Sequence, residues 1–223
     1  MIMTKFEVNG LILAGGRSRR MGGQDKGLLL LEGKRLIKHC ISRLAPQVRH
    51  IFISANRHVE QYRRYGFPVL EDQFGDDNGP LAGLLRAFEY SGDLPILIAP
   101  CDAPFYPTTL SQRLIESFTS TPVEPAAVDT PETTLKVTPK IWAAIPHDGN
   151  RLQPLFGLYS PEVLPLLRDY LVSGERKVET WATSLPHVIV DFSHEEKYFM
   201  NVNTDNDLRK ASIFLKNSEA NKR

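Results

Sequence analysis

The sequence predicts an α/β protein built on a doubly wound, mainly parallel sheet with helices on both faces. Short apolar segments alternate with segments of helical periodicity along the first half of the chain. Each apolar segment is nearly continuous, as parallel strands covered on both faces require. Strands that alternate with helices form parallel sheets through right-handed crossovers. These observations together predict the fold class.

Four strands and three helices are predicted in the first half of the chain. The strands are VNGLILA, HIFISA, FPVLED and LPILIAPCDAPF, in that order. The helices are predicted over residues 36–44, 79–88 and 108–118. Pro46 ends the first helix, and Gly79 and Pro80 begin the second.

The second half is less regular. The stretch TSTPVEPAAVDTPETTLKVTP predicts a loop-rich crossing with one or two short strands. It is followed by a strand in QPLFGLYS, a helix over residues 163–171, a strand in HVIVDF and a C-terminal helix in TDNDLRKASIFL. Thr204 or Asp205 could cap that last helix. The polar tail 216–223 is expected to fray.

Composition limits the possible functions. The chain has 223 residues, and we expect one domain over 1–223. Its net charge of +1 argues against a nucleic-acid binder. Its two cysteines, Cys40 and Cys101, are too few for a disulfide scaffold and favour a reducing compartment. Because no apolar run suits a signal peptide or a membrane span, we expect a cytoplasmic protein that binds no membrane.

The stretch GLILAGGRSRRMGGQDKGLL is the first candidate site. Gly15 and Gly16 follow a strand, where bare backbone amides can approach an anion. Arg17, Arg19, Arg20 and Lys26 then supply positive charge. The stretch matches neither GxxxxGK[ST] nor GxGxxG. A solvated basic loop remains the alternative to a phosphate-binding loop of another format.

Polar side chains follow three further strands. The strand in LPILIAPCDAPF runs into Asp102, Asp72 ends FPVLED and Asn56 follows HIFISA. Asp102 suits Mg²⁺, which takes one or two protein carboxylates plus phosphate oxygens, although a turn aspartate is equally consistent. Because the carboxyl ends of parallel strands share one edge, a nucleotide lying there could contact all of these residues.

The second half holds weaker candidates. Asn201 and Asn203 are two residues apart, so in an extended segment both side chains would point the same way. They could bind a phosphate or complete a metal site, or they could simply precede a helix cap. Arg151 and Gln153 form a polar cluster that could line the side of a second substrate, the acceptor.

These pieces resemble the molybdenum cofactor guanylyltransferases. The matching stretches, in the family's order, are LILAGGRSRRMGGQDKGLL, NRH, LEDQ, GPLAGL, PCDAPF and NVNTDNDL. The resemblance implies a Rossmann-like domain that transfers GMP from GTP to the terminal phosphate of Mo-molybdopterin and releases pyrophosphate. Relatives that use cytidine nucleotides typically have LAAG where this chain has Gly16, so that glycine favours guanine.

The resemblance also implies roles for individual residues. Residues implied to contact GTP are Leu13, Ala14, Gly15, Gly16, Lys26, Asn56, Asp72 and Asp102. Asp102 would also hold Mg²⁺, for which Mn²⁺ could substitute, and Asn201 and Asn203 would lie near the reacting phosphates or the pterin. The nucleotide would bind to the half around 8–120 and the acceptor to the half around 121–210. Molybdopterin-insertion proteins or molybdoenzyme chaperones would be partners of a monomer.

Charge explains how such residues could act. Nucleotidyl transfer joins two anions and places further charge on pyrophosphate, so positioning and electrostatic stabilisation should dominate. We assign Lys26 and Arg20 to neutralising the β- and γ-phosphates, and the amides near Gly15 and Gly16 to cradling them. The alternatives are a molybdopterin cytidylyltransferase, a sugar-phosphate nucleotidyltransferase, and a GTP-binding regulatory module without turnover.

Overall fold

The computed structural model describes residues 7–14, 25–72, 79–120 and 140–220. Gly15, Gly16 and Arg20 of the basic loop, together with Arg17 and Arg19, lie outside the described residues. The same is true of 121–139, where one or two short strands are predicted.

The described residues form nine strands, and seven of these make one mainly parallel sheet, which confirms the predicted fold class. In chain order the strands are β1 Asn9–Leu13, β2 Leu30–Leu31, β3 Lys34–Arg35, β4 Ile51–Ser54, β5 Val69–Leu70, β6 Ile96–Pro100, β7 Ala143–His147, β8 Leu158–Tyr159 and β9 His187–Asp191. The order across the large sheet is β5-β4-β1-β6-β8-β7-β9. Only β8 runs antiparallel to its neighbours, β6 and β7, among the pairings described in this sheet. β2 and β3 form a separate antiparallel hairpin.

Helices pack on both faces of the sheet. In chain order the helices of the described part of the chain are α1 Leu36–Leu44, α2 Val59–Arg63, α3 Gly79–Ser91, α4 Leu110–Ser120, α5 Leu164–Val172, α6 Val178–Ser184 and α7 Asp205–Ala220. The helices predicted at five of these places are confirmed. The sequence did not predict α2 and α6, which have five and seven residues and are too short to show clear periodicity.

The core has one layer on each side of the sheet. Successive residues of β1 face opposite layers: Ile12 packs in the cluster with α1 and α4, and Leu11 in the cluster with α3, α5 and α6. Both side chains are fully buried. Burying a side chain of this size contributes about 1.5–3 kcal/mol, so near-continuous apolar strands are what a sheet covered on both faces requires.

Close packing at Gly10 sets the distance between α1 and the sheet. A Cβ at this position would lie 2.6 Å from Leu44 Cδ2.

Helix α1 ends at Leu44, and a 3₁₀ turn at Ala45–Gln47 follows it. The prediction that Pro46 ends this helix is therefore confirmed.

The irregular second half contains elements that the sequence pattern did not predict. Strand β7 was not predicted, and the strand predicted in QPLFGLYS is confined to β8, because a 3₁₀ turn occupies Pro154–Phe156. Strand β9 lies where it was predicted. Among the described residues, no helix has both the length and the apolar character needed to cross a membrane.

The C-terminal helix α7 packs against the β2–β3 hairpin. The hairpin turns at Glu32 and Gly33, whose φ angles are +47° and +75°, a pattern that suits a tight two-residue turn. The Glu32 carboxylate accepts a hydrogen bond from Ser212 and pairs with Lys216 at 3.1 Å. Thr204 caps α7 as predicted, since its Oγ1 accepts from the Asp207 amide at 3.2 Å. Helix α7 continues to Ala220, beyond the point where fraying was expected.

Candidate active site

The carboxyl ends of β1, β4, β5 and β6 lie at one edge of the sheet because these strands are parallel. The backbone fixes them there: the Ala14 amide donates to the Ser54 carbonyl at 2.8 Å, and the Cys101 amide donates to the Leu13 carbonyl at 3.0 Å. Leu13 and Ala14 themselves therefore stand at this edge. We call it the nucleotide edge, after the ligand that the sequence predicts there.

Lys26 contacts two other predicted site residues at the nucleotide edge. Its Nζ donates to Asp102 Oδ2 at 2.9 Å and also to Asn203 Oδ1. The Lys26 and Asp102 side chains are 19% and 21% exposed, so this ion pair is only partly screened by solvent. The Val202 amide donates to the Asp102 carbonyl at 2.7 Å, which holds the C-terminal segment beside the end of β6. Three distant parts of the chain thus meet at one ammonium group.

Asn56 and Asp72 form a second pair at the same edge. Asn56 Nδ2 donates to Asp72 Oδ2 at 2.5 Å, and the Asp72 amide donates to Asn56 Oδ1 at 2.9 Å. The other carboxylate oxygen, Asp72 Oδ1, is buried and has no hydrogen-bond partner among the described residues. A buried acceptor without a partner costs stability, so this oxygen lacks a compensating donor in the described part of the chain.

The loop 148–153 is organised by the carboxylate of Asp148. Its Oδ1 accepts from the amides of Asn150 and Arg151, both at 2.9 Å, and its Oδ2 accepts from Gln153 Nε2 at 2.6 Å. Burial would raise the pKa of Asp148, but these hydrogen bonds and the Arg151 charge outweigh it and lower the pKa. Asp148 therefore fixes the loop that carries Arg151 and Gln153.

A cleft of about 480 Å³ lies beside this loop. We call it the acceptor cleft, after the substrate that the sequence predicts there; it is lined by Asp148, Asn150, Arg151, Gln153, Glu196, Lys197, Phe199, Met200 and Asn201. It contains Arg151, Gln153 and Asn201, three of the four residues predicted for the acceptor side. The fourth, Asn203, contacts Lys26 instead. The two asparagines thus have different neighbours.

Sequence reasoning missed three residues that shape these sites. Asp148 is followed by glycine, a turn-forming dipeptide that could have indicated the loop. Asp25 precedes Lys26 in the basic stretch, yet nothing marked it as buried. Tyr62, whose hydroxyl donates to Asp25, lies 37 residues away, and no sequence pattern indicates that contact.

The described residues argue against two kinds of catalytic site, a metal cluster held by protein side chains and a cysteine nucleophile. They hold no group of three or more His, Cys, Asp or Glu side chains placed to bind a metal ion. Burial raises the pKa of the Cys101 thiol well above its ordinary value, so this cysteine is a poor nucleophile despite its position beside Asp102. A lysine–carboxylate pair at the edge of a parallel sheet is instead suited to binding a nucleotide and its phosphates.

Comparison with known proteins agrees with that class of site. The family of the MobA-like NTP transferase domain matches residues 10–188, and the chain belongs to it. A molybdenum cofactor guanylyltransferase of Haemophilus influenzae is 40% identical over 92% of this chain and 98% of its own. One from Shewanella loihica is 38% identical over 89% and 92%. The chain is thus a member of the molybdenum cofactor guanylyltransferase family.

Solved structures share the fold. Molybdopterin-guanine dinucleotide biosynthesis protein A from Archaeoglobus fulgidus superposes with a TM-score of 0.71 at 22% identity, over 94% of this chain and 99% of that one. A 4-diphosphocytidyl-2C-methyl-D-erythritol synthase from Anaerococcus prevotii gives 0.69 at 10% identity, over 95% and 97%. Both likenesses concern the fold alone, which therefore does not distinguish one base from another.

Proposed function

We propose that the protein transfers GMP from GTP to the terminal phosphate of Mo-molybdopterin. An oxygen of the acceptor phosphate forms a bond to the α-phosphorus of GTP, the bond between that phosphorus and the bridging oxygen breaks, and pyrophosphate leaves. The products are the molybdopterin guanine dinucleotide cofactor and pyrophosphate. The observation that carries the proposal is the Lys26 ammonium held between Asp102 and Asn203 at the nucleotide edge.

Lys26 suits the electrostatic demand of this reaction. Negative charge grows on the leaving pyrophosphate, and a positioned ammonium stabilises it more strongly in a partly buried site than in water. The acceptor phosphate is already ionised, so the reaction needs no strong general base. We assign Lys26, with Arg20 of the basic loop, to the β- and γ-phosphates, and the amides near Gly15 and Gly16 to cradling them.

Asp102 is the residue we assign to Mg²⁺. Its carboxylate is one-fifth exposed and stands beside the proposed phosphate site. Magnesium is commonly held by one or two carboxylates and completed by phosphate oxygens and water, so a single carboxylate fits this ion, and Mn²⁺ could replace it. When bound, the ion would supply positive charge to the phosphate oxygens.

The Asn56–Asp72 pair supports a guanine base. Guanine presents an N1–H and an N2 amino group, whereas cytosine presents only its N4 amino group as a donor. The buried Asp72 Oδ1 needs a donor. We propose that Asn56 orients Asp72 so that this oxygen accepts from guanine, while Leu13 and Ala14 contribute backbone to the same side. Gly16 would add room for the base.

The acceptor cleft carries charged and polar groups that suit binding of the second substrate. Arg151 and Lys197 offer positive charge to the acceptor phosphate, and Gln153 and Asn201 offer amides to polar pterin edges. Two residues of extended chain span at most about 7 Å. Asn201 in the cleft therefore lies close to Asn203 beside Lys26, which would bring the two substrates together.

We also propose that the protein works in the cytoplasm. Both cysteines are free and buried, which fits a reducing compartment such as the cytoplasm. We expect the product to pass to insertion or chaperone proteins there.

The function is tested by measuring pyrophosphate release in the presence of Mo-molybdopterin and Mg²⁺. GTP, CTP, UTP and ATP are compared, and thermal shift is measured with each nucleotide. The proposal expects release with GTP only when the acceptor is present. Release with CTP in preference to GTP would identify a cytidylyltransferase. GTP binding without any release would identify a binding module.

A further inference from the structure

The carboxylate of Asp25 is buried beneath the turn that carries Lys26, and the proposed reaction gives it no role. Asp25 is 7% exposed. Its Oδ1 accepts from the Tyr62 hydroxyl at 2.5 Å and from the Gly27 amide at 3.1 Å. Tyr62, in α2, is fully buried. One oxygen thus joins the turn to a distant helix.

These contacts fix the short 3₁₀ turn Lys26–Leu28. Asp25 is its N-cap, and the turn closes through the Leu28 amide, which donates to the Asp25 carbonyl at 3.1 Å. Tyr62 lies directly against the turn, because a Cβ at Gly27 would be 2.4 Å from the Tyr62 hydroxyl. The backbone at Gly27, directly after Lys26, therefore packs against a tyrosine whose hydroxyl is bonded to the Asp25 carboxylate.

Burial of this carboxylate is costly. It raises the pKa of Asp25, while the hydrogen bonds from Tyr62 and Gly27 and the nearby charges of His58 and Arg57 oppose the rise. An exposed cap could close a 3₁₀ turn without that cost. A buried carboxylate that accepts two hydrogen bonds instead holds the turn in a single orientation.

We propose that Tyr62 and Asp25 are positioning residues that aim the Lys26 ammonium at the phosphates of the nucleotide. The inference rests on the phosphate-binding role proposed for Lys26. Helix α2 begins three residues after Asn56, so the Tyr62–Asp25 bond also connects the segment on the base side with the lysine on the phosphate side.

Removing the tyrosine hydroxyl tests the proposal. A unit charge moved from about 3 to about 4 Å from an anion, at an effective dielectric constant of about 20, loses attraction equivalent to about tenfold in rate. We expect Tyr62→Phe to lower kcat/KM for GTP by about tenfold. Tyr106→Phe is the matched control: Tyr106 is buried in the same core cluster, and its hydroxyl donates to the Cys40 carbonyl at 2.7 Å. The control should stay within about twofold.

Two further comparisons separate positioning from simple stabilisation. In a Lys26→Ala background, Tyr62→Phe should lower the rate by less than about twofold, because its effect acts through Lys26. Asp25→Asn keeps an oxygen that accepts both hydrogen bonds and should retain most activity, whereas Asp25→Ala should not. Equal losses from Tyr62→Phe with and without Lys26, or equal losses in the two Asp25 variants, would overturn the proposal.

Binding of inorganic tripolyphosphate keeps this test independent of turnover. Calorimetry should show weaker binding by Tyr62→Phe than by Tyr106→Phe or the unchanged protein. If the unchanged protein transfers no GMP but this difference is present, the proposed function is wrong and the positioning role stands. If GMP transfer proceeds and the two tyrosine variants bind and react alike, the positioning role is wrong.

Discussion

The nucleotide edge and the acceptor cleft are held in place in different ways. At the edge, Ala14 and Asp102 follow strands whose positions are set by backbone hydrogen bonds across the sheet. In the cleft, Arg151 and Gln153 belong to a loop whose shape depends on the carboxylate of Asp148. The strand ends that carry Ala14 and Asp102 should therefore keep their geometry when one of their side chains is changed, whereas the loop of the cleft should lose its geometry when the Asp148 side chain is removed.

The largest effect is expected at the nucleotide edge. Lys26→Ala or Asp102→Ala removes a positioned charge and should lower the rate of GMP transfer by roughly 10²–10³. The fold should remain, because neither side chain is in the core. Steady-state kinetics at saturating GTP and Mg²⁺, with circular dichroism, measure both effects.

Lys140→Ala provides the control for that pair. Lys140 also pairs with a carboxylate, Glu162, but its side chain is 65% exposed and outside both sites. Exposed ion pairs contribute about 0–1 kcal/mol, so turnover should be unchanged. Near-normal turnover of Lys26→Ala would show that Lys26 does not stabilise the charge of the phosphates.

A change in the cleft should affect only the second substrate. Asp148→Ala removes the acceptor of three hydrogen bonds and should raise KM for Mo-molybdopterin by about tenfold, since misplaced binding groups lose affinity. KM for GTP should remain within about twofold. Asp148→Asn, which keeps one acceptor oxygen, should give a smaller effect. Equal rises in both KM values would contradict the separation of the two regions.

The same carboxylate predicts a dependence of stability on pH. The pKa of Asp148 is lowered from 3.8 in the folded protein. Its contribution to the free energy of unfolding is therefore present above the unfolded pKa and is lost as pH falls through the lowered folded pKa. Urea unfolding near pH 7 and near pH 3 should show that Asp148→Asn loses less stability in acid than the unchanged protein. Parallel losses would show that another group dominates.

The smallest effect concerns the segment that connects the two regions. Asn203 precedes α7, whose cap is Thr204. Thr204→Ala should lower the free energy of unfolding by about 1 kcal/mol, and Thr204→Ser should restore most of it. Thermal unfolding measures both variants. If Thr204→Ala lowered the free energy of unfolding as much as a truncation in the core does, Thr204 would do more than cap the helix.

The contrast between the two regions also explains what could be predicted from sequence. Apolar strands followed by Asn56, Asp72 and Asp102 indicated the nucleotide edge, because parallel strands place their carboxyl ends together. The β2–β3 hairpin was missed because β3 consists of two charged residues, Lys34 and Arg35, and so has no apolar run to mark it as a strand. The Tyr62–Asp25 contact was missed because it depends on tertiary packing. Arg151 and Gln153 were found as polar residues, but the role of Asp148 in fixing their loop appears only in three dimensions.

Single-turnover transfer of label from α-labelled GTP to Mo-molybdopterin, in the unchanged protein and in Asp102→Asn, tests the central claim most directly. The claim is that the nucleotide edge with Lys26, Asp102 and Asn203 carries out GMP transfer. We expect labelled molybdopterin guanine dinucleotide from the unchanged protein and a rate lower by roughly 10² or more in Asp102→Asn. Equal rates in the two proteins, or no labelled dinucleotide from the unchanged protein, would contradict it.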